Sequence, residues 1–171
     1  MRKFAVSCLA MIFAAAPAYL FAQDNKPAEG TTHYYHLSYS VQEVAENGKV
    51  TNSRIYTTAI GTNLGPPAQI RTGDKIPIHT DDKDNIQYLD IGVNVDTRQA
   101  SEVGSKLALQ VSAEISSTIK APDAAAPPII RQNRWQANVL IPIGSPTVIF
   151  SSDDLQSKGK LQVEATATRI D

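Results

Sequence analysis

Alternation of apolar and polar residues, the pattern of a β-strand with one buried face, runs through most of the chain. It is cleanest in residues 86–119, which we interpret as two strands joined by a turn at residues 100–105. The apolar positions are Leu89, Ile91, Val93 and Val95 in the first strand and Leu107, Leu109, Val111, Ala113 and Ile115 in the second. The pattern predicts an antiparallel hairpin with one face in the core.

A second hairpin is predicted near the beginning of the chain. Residues 33–44 alternate, with Tyr35, Leu37 and Tyr39 on the apolar side, and the pair Asn47-Gly48 follows shortly afterwards. Asn-Gly supplies the two positive-φ residues that a two-residue type I′ turn needs. This loop predicts the cross-strand pairs Tyr39 with Tyr56, Leu37 with Thr58 and Tyr35 with Ile60.

The remaining segments also favour strands. Residues 68–72 and 75–80 form two short pieces around Gly73-Asp74, and Pro77 places the second piece at an edge or a bulge. Residues 121–128 contain three prolines and predict an exposed loop, whereas Trp135 lies on the apolar side of its strand and is expected in the core. Together these segments predict about nine strands and no helix. We predict an all-β fold for residues 32–171, an antiparallel β-sandwich or a partly closed barrel.

The first 22 residues have the pattern of an export signal. Arg2 and Lys3 precede an apolar segment of signal-peptide length, and cleavage is expected after Ala22, with Ala18 as the alternative. The polar residues 23–31 are then a flexible linker. The apolar segment is short for a membrane-spanning helix, and Cys8 comes too early for lipidation. We expect an exported protein that is periplasmic, associated with the outer membrane, or extracellular.

Composition narrows the function of the mature chain. Its 149 residues contain no cysteine, which excludes disulfides and thiolate metal sites. Removal of Arg2 and Lys3 leaves 14 basic against 17 acidic side chains, a net charge of −3. This charge does not favour nucleic acid as a partner, and no integral membrane segment is expected after cleavage.

No group of residues indicates catalysis or a cofactor. His33 and His36 are three apart in a strand and point to opposite faces, so they are not expected to chelate one ion, and His79 is distant in sequence. Asp81, Asp82 and Asp84 lack the glycine and the distal glutamate of a calcium loop and are interpreted as a solvated turn. No Gly-x-Ser-x-Gly motif occurs. We expect no enzyme activity, no cofactor and no metal.

Tyrosines of the first hairpin are the candidate contact residues. Tyr34, Tyr35, Tyr39 and Tyr56 could form a strip that binds a sugar, a peptide or a small ligand. Alternating tyrosines in a hairpin also arise from core packing and cross-strand pairing, and both interpretations stay open here. The residues proposed to contact a ligand or partner are Tyr34, His36, Tyr39 and Tyr56.

The order of motifs between residues 70 and 150 resembles the C-terminal homology domain of bacterial secretins, which form outer-membrane rings in type II and type III secretion and in type IV pilus systems. The matching motifs, in order, are Gly73-Asp-Lys-Ile-Pro77-Ile78, Asp90-Ile-Gly92-Val93-Asn-Val95, Glu114-Ile-Ser116, Pro128-Ile129-Ile130-Arg131, and Val139 to Gly144 followed by Thr147-Val148-Ile149. Where secretins place Gly-Gly-Leu, this chain has Phe150-Ser151-Ser152-Asp153. The resemblance therefore assigns no pore.

The resemblance implies a secretin-like β-domain without catalytic residues. We expect it to act through a protein partner or self-association in the cell envelope, in secretion or pilus assembly. Its expected contact surfaces are an exposed strand edge, with the pieces around Gly73 as candidates, and the loop at residues 121–128. The alternative function is a β-sandwich that binds carbohydrate or a small ligand through Tyr34, Tyr35, Tyr39 and Tyr56.

Overall fold

A computed structural model describes residues 31–63, 66–79, 86–119, 128–154 and 158–170. The described chain is all-β and contains eight strands and no helix: β1 (Tyr34–Val44), β2 (Val50–Gly61), β3 (Ala68–His79), β4 (Ile86–Val103), β5 (Lys106–Ile119), β6 (Ile129–Pro142), β7 (Thr147–Asp153) and β8 (Lys160–Arg169). The predicted fold class is confirmed. Four predicted segments lie outside the described residues: the export signal, the linker except Thr31, the acidic turn, and the proline-rich loop except Pro128.

The strands form two four-stranded sheets rather than one closed barrel. Sheet A has the order β2-β1-β8-β7 and sheet B the order β3-β4-β5-β6, and all neighbours within each sheet are antiparallel. One cluster of buried residues takes side chains from both sheets, from β1, β2 and β8 on one side and from β4, β5 and β6 on the other. Of the two predicted architectures, the chain has the sandwich.

The register of the first hairpin agrees with the prediction, but the turn does not. Tyr35 pairs with Ile60, Leu37 with Thr58 and Tyr39 with Tyr56. Asn47 does not have a positive φ, whereas Gly48 has φ 79°, and the amide of Ala45 donates to the carbonyl of Lys49 at 2.9 Å. The loop therefore has three residues, 46–48. A register shift next to Glu43 takes up the extra residue.

The central hairpin is longer than predicted because β4 continues through the expected turn. Gln99 adopts φ 54°, and the pairing with β5 shifts between Arg98 and Ser101. This bulge lets the strand absorb an irregular step and run on to Val103, and Gly104, with φ 61°, turns the chain. The prediction of one buried face is correct for the middle of the hairpin. Val93, Val95, Leu107, Leu109, Val111 and Ala113 are buried, whereas Leu89, Ile91 and Ile115 are half-buried.

The two predicted pieces around Gly73-Asp74 are a single strand, so the described residues contain eight strands where about nine were predicted. β3 pairs with β4 without interruption from Ala68 to His79, and Gly73 lies directly opposite Gly92. A Cβ atom on Gly73 would lie 1.9 Å from the carbonyl oxygen of Ile91, so the two backbones approach more closely than side chains permit. As Pro77 predicted, β3 is an edge strand.

One polar contact crosses the core between the sheets. The Tyr39 hydroxyl and Thr97 Oγ1 lie 2.6 Å apart, and both residues are fully buried. Burial raises the pKa of Tyr39 to about 12, and the bond to Thr97 opposes this effect. Each hydroxyl therefore has a hydrogen-bond partner inside the core, and the contact links β1 of sheet A to β4 of sheet B. In the part of the chain that the structure describes, no helix has the length and apolarity needed to span a membrane.

Candidate functional site

Among the described strands, each sheet ends in two strands that have a neighbour on one side only. The edges are β2 and β7 in sheet A and β3 and β6 in sheet B, and β6, with 14 residues, is the longest of them. Long strand edges present rows of backbone donors and acceptors that accept another strand. These edges are therefore candidate contact surfaces, and those of sheet B include the longest.

Backbone alternation identifies which β6 residues face outward. The amide of Gly92 points from β4 towards β5, where it donates to Ser116 Oγ at 3.0 Å. Backbone groups alternate in direction along an antiparallel strand, so even-numbered β5 residues face β4 and odd-numbered ones face β6. The pair Ala113–Trp135 then places the odd β6 residues towards β5. The backbone N–H of Gln136 consequently points away from β5, at the outer edge of the sheet.

Sheet B divides into two hairpins at one end. The last β4–β5 pair is Val93 with Ile115, although β4 extends back to Ile86 and β5 extends on to Ile119. Beyond this point β4 pairs only with β3, and β5 only with β6, among the described strands. The space between the diverging hairpins is called the split below. Two strands alone are marginally stable in water, so the split is a place where an additional strand would stabilise the sheet.

An open cleft of about 760 Å³ lies between the two sheets at the base of the split. Its apolar lining consists of inner-facing residues near the strand ends: Val41, Val44, Tyr56, Val93, Ile115 and Leu161. Around them lie neutral polar side chains, among them Asn52, Ser116, Ser117 and Asn133. The volume is in the range of ligand-binding clefts, and the mixture of an apolar floor with a polar rim is typical of them.

The charges around the cleft balance. Four acidic and four basic residues line it: Glu43, Glu46, Asp153, Asp154, Arg54, Arg131, Lys158 and Lys160. Two ion pairs join opposite charges at the rim, Arg131 Nη2 to Asp154 Oδ1 and Lys158 Nζ to Glu46 Oε1, each at 3.2 Å. The described residues that line the cleft therefore carry no net formal charge, so they do not favour a ligand of one sign over the other.

Glu102 connects the two sheets at the opposite end of the sandwich. Its Oε1 atom accepts a hydrogen bond from the Tyr35 hydroxyl and lies 2.6 Å from His33 Nδ1 and 3.9 Å from Arg169 Nη1. The hydrogen bonds from Tyr35 and His33, followed by the charges of His33 and Arg169, lower the pKa of Glu102. This polar cluster fastens the end of β4 to the start of β1 and the end of β8.

The lowered pKa of Glu102 predicts loss of stability in acid. A carboxyl group whose pKa is lower in the folded state stabilises the fold above its unfolded pKa, ordinarily 4.5, and loses that contribution as the pH falls through the folded value. In urea titrations between pH 3 and 7, the difference in unfolding free energy between the wild type and Glu102→Gln should shrink below pH 4.5. Parallel stability curves would show that the carboxylate is not linked to folding.

The four predicted contact residues lie on different faces of sheet A. Tyr34 is 48% exposed and His36 is also exposed, whereas Tyr39 is completely buried in the core. Tyr56 is half-buried and lines the cleft. The hairpin tyrosines therefore do not form one continuous strip, and Tyr35 and Tyr39 follow the interpretation of core packing. No pattern in the sequence indicates the cleft, which lies where the β4–β5 ladder ends.

The histidines and the tryptophan have separate environments. His33 contacts Glu102, and His36 lies three residues further on, on an exposed surface of β1. Within the described ranges no group of three or more His, Cys, Asp or Glu could hold a metal ion. Trp135 packs against the core as expected and stacks on Phe150, with the ring centroids 5.1 Å apart.

Three solved structures illustrate the similarity of this fold to secretins. The InvG secretin domain β-barrel from the Salmonella SPI-1 injectisome NC-base aligns with a TM-score of 0.54 and 8% identity, over 83% of this chain and 64% of that chain. The cryo-EM structure of the Salmonella SPI-1 type III secretion injectisome secretin InvG aligns with a TM-score of 0.52 and 7% identity, over 83% of this chain and 66% of that chain. The type II secretion system secretin GspD of E. coli K12 aligns with a TM-score of 0.48 and 13% identity, over 81% of this chain and 48% of that chain.

The structural likeness confirms the secretin resemblance at the level of the fold. The chain has the fold of a secretin domain over more than four fifths of its length, while spanning less than two thirds of the InvG chains. No protein-family model and no curated protein sequence matches the chain. At 7–8% identity the likeness describes the backbone arrangement and assigns no partner or activity.

Proposed function

We propose that the chain is a non-enzymatic, exported β-domain that acts through protein–protein contacts in the cell envelope, in a secretion or pilus system. The observation that carries the proposal is a secretin-like sandwich in which two long strands of sheet B, β3 and β6, have no neighbour on one side among the strands described. The apolar segment that follows Arg2 and Lys3 supports export. The role is structural because the contact surfaces are strand edges and require no reacting group.

Self-association through sheet B is the contact that these edges favour. β3 and β6 lie at opposite sides of one sheet, so β3 of one copy can pair with β6 of the next. Such a contact joins two different surfaces and produces closed rings or open filaments, depending on the rotation between copies. The InvG secretin domain is described as a β-barrel, an arrangement in which free strand edges are paired.

Proline at Gln136 should block the β6 edge. Because the Gln136 N–H points out of the sheet, proline removes an edge donor without removing a bond of the β5–β6 ladder. We expect protein lacking residues 1–22 to form oligomers at tens of micromolar and Gln136→Pro to be monomeric. Size-exclusion chromatography with light scattering measures both masses.

The matched control is Gln136→Ala, which keeps the backbone donor and should associate like the wild type. Circular dichroism and thermal unfolding establish that the proline variant is folded. A wild type that stays strictly monomeric at these concentrations, or equal masses for wild type and Gln136→Pro, would contradict association through this edge.

A further inference from the structure

The split and the cleft together form one surface that no strand of the described chain fills. Gly92 and Val93 from β4 and Ile115 to Ser117 from β5 line the cleft where the two strands diverge. Unpaired backbone therefore borders the apolar floor directly. A ligand at this position would meet strand edges and a hydrophobic pocket at the same time.

The unpaired backbone has the repeat of a β-strand. With the direction set by the Gly92 amide, the backbone groups of Asp90 and Tyr88 on β4 and of Ser116 and Thr118 on β5 face the split. Ser116 Oγ accepts from Gly92 at the last point where the strands are close. The β5 segment from residue 116 to residue 119 is about 13 Å long at roughly 3.3 Å per residue. Extended peptide is the ligand whose donors and acceptors match this spacing.

The cleft specifies the side chains of such a peptide. Its floor is apolar, with Val41, Tyr56 and Ile115 half-buried and Val93 buried, and the eight charged residues around it cancel. A charged side chain placed on this apolar floor would lose its contact with water there, whereas an aliphatic one removes further apolar surface from water. The favoured segment alternates aliphatic and small neutral polar residues.

We propose that this surface is a peptide-docking site, at which an extended, uncharged segment of a partner protein adds a strand in the split and inserts one aliphatic side chain into the cleft. The inference deepens the proposed function because it names a surface and the chemistry of the partner. It uses neither β3 nor β6 as an outer edge of sheet B and therefore does not require self-association.

Ser117 and Thr118 provide a matched pair of variants. Both are exposed neighbours on β5, but Ser117 lines the cleft and Thr118 points to the other face of the sheet. Ser117→Trp would fill the mouth of the cleft without replacing a buried side chain. Thr118→Trp adds the same bulk on the opposite face.

The test is a titration followed by NMR with the Gln136→Pro variant, whose blocked β6 edge separates this binding from self-association. The probe is a capped heptapeptide that alternates serine with isoleucine or valine. We expect saturable shifts of the amides of Asp90, Gly92, Ser116 and Thr118, with a dissociation constant below about 1 mM. Ser117→Trp and N-methylation of alternate peptide bonds should each weaken binding roughly tenfold, whereas Thr118→Trp should change it less than about twofold.

Three results would overturn the proposal: no amide shifts at 1 mM peptide, equal binding of the N-methylated peptide, or equal effects of the two tryptophan variants. Light scattering on the otherwise wild-type chain adds one further outcome. If Ser117→Trp alone reduces the mass of an oligomer, the cleft is occupied by a second copy of the chain and not by a separate partner. Self-association through β6 is decided by Gln136→Pro against Gln136→Ala, so either proposal can fail without the other.

Discussion

Replacement of Leu109 by alanine should lower the free energy of unfolding by about 2–5 kcal/mol. Leu109 is 2% exposed and lies on the inner face of β5, a central strand of sheet B that pairs with both β4 and β6. Truncation removes buried methyl groups and leaves a cavity that a strand held on both sides can close only in part. Urea denaturation followed by tryptophan fluorescence measures the change, with Trp135 as the probe.

Leu140 gives the matched control for this substitution. It lies on the neighbouring strand β6 and is 46% exposed on the opposite face of sheet B. Leu140→Ala removes the same atoms and should change the stability by no more than about 0.5 kcal/mol. Equal effects of the two substitutions would mean that β5 buries the other face, and the arrangement of sheet B would be wrong.

Leu109 also shows why the core could be predicted from the sequence. In a strand the side-chain period is two, so one correct register assigns every position to a face. This rule placed the middle of the central hairpin correctly, from Val93 to Val95 and from Leu107 to Ala113. The rule was less successful for residues 86–91, on the N-terminal side of Gly92. There β4 leaves the sandwich, and Leu89 and Ile91 are only half-buried although they continue the same pattern.

The predicted register of the first hairpin is correct, although the predicted turn is not. A two-residue loop at Asn47-Gly48 and a three-residue loop at residues 46–48 differ by one position, which would shift every cross-strand pair. The bulge beside Glu43 shifts the pairing back, so Tyr39 still faces Tyr56. Sequence patterns report the net register because burial fixes it, whereas the local turn geometry can vary as long as a bulge compensates.

The candidate site could not be predicted because it depends on where pairing stops. Nothing in the alternation of β4 or β5 marks Val93–Ile115 as their last pair, since both strands continue with the same code. The prediction of a tyrosine strip also conflicted with the period of two. Tyr34 and Tyr39 are five residues apart and must lie on opposite faces, as their exposures of 48% and 0% confirm.

Gly92 joins these observations, because it is the residue at which β4 leaves β5 and passes closest to β3. Its φ is 143°, a conformation that residues with a side chain rarely adopt. A Cβ atom there would lie 2.1 Å from the carbonyl oxygen of Thr72 and 2.5 Å from the Cα atom of Gly73. Both obstacles are backbone atoms, so no side-chain rotation relieves the clash. The sequence showed two glycines in strands, but their opposition across the ladder required the structure.

Gly92→Ala should therefore separate β3 from β4 locally, at a cost of about 2–4 kcal/mol from the strained φ and the displaced backbone. Because residues 86–91 pair only with β3 among the described strands, their protection depends wholly on this contact. We expect hydrogen exchange to accelerate roughly 100-fold for the amides that face the partner strand in this ladder, those of Asp74, Ile76 and Ile78 on β3 and of Gln87, Leu89 and Ile91 on β4. Exchange in the middle of β1, around Leu37, should stay within about twofold of the wild type, since the sandwich itself is retained.

Gly104→Ala distinguishes this crossing from an ordinary glycine effect. Gly104 also has a positive φ, 61°, but a Cβ atom built there meets nothing within 4 Å. Alanine should cost only the conformational term, about 1–2 kcal/mol, confined to the turn between β4 and β5. If Gly92→Ala leaves exchange in residues 74–79 unchanged, or if Gly104→Ala accelerates it equally, the close approach of Gly73 and Gly92 does not hold the hairpin together.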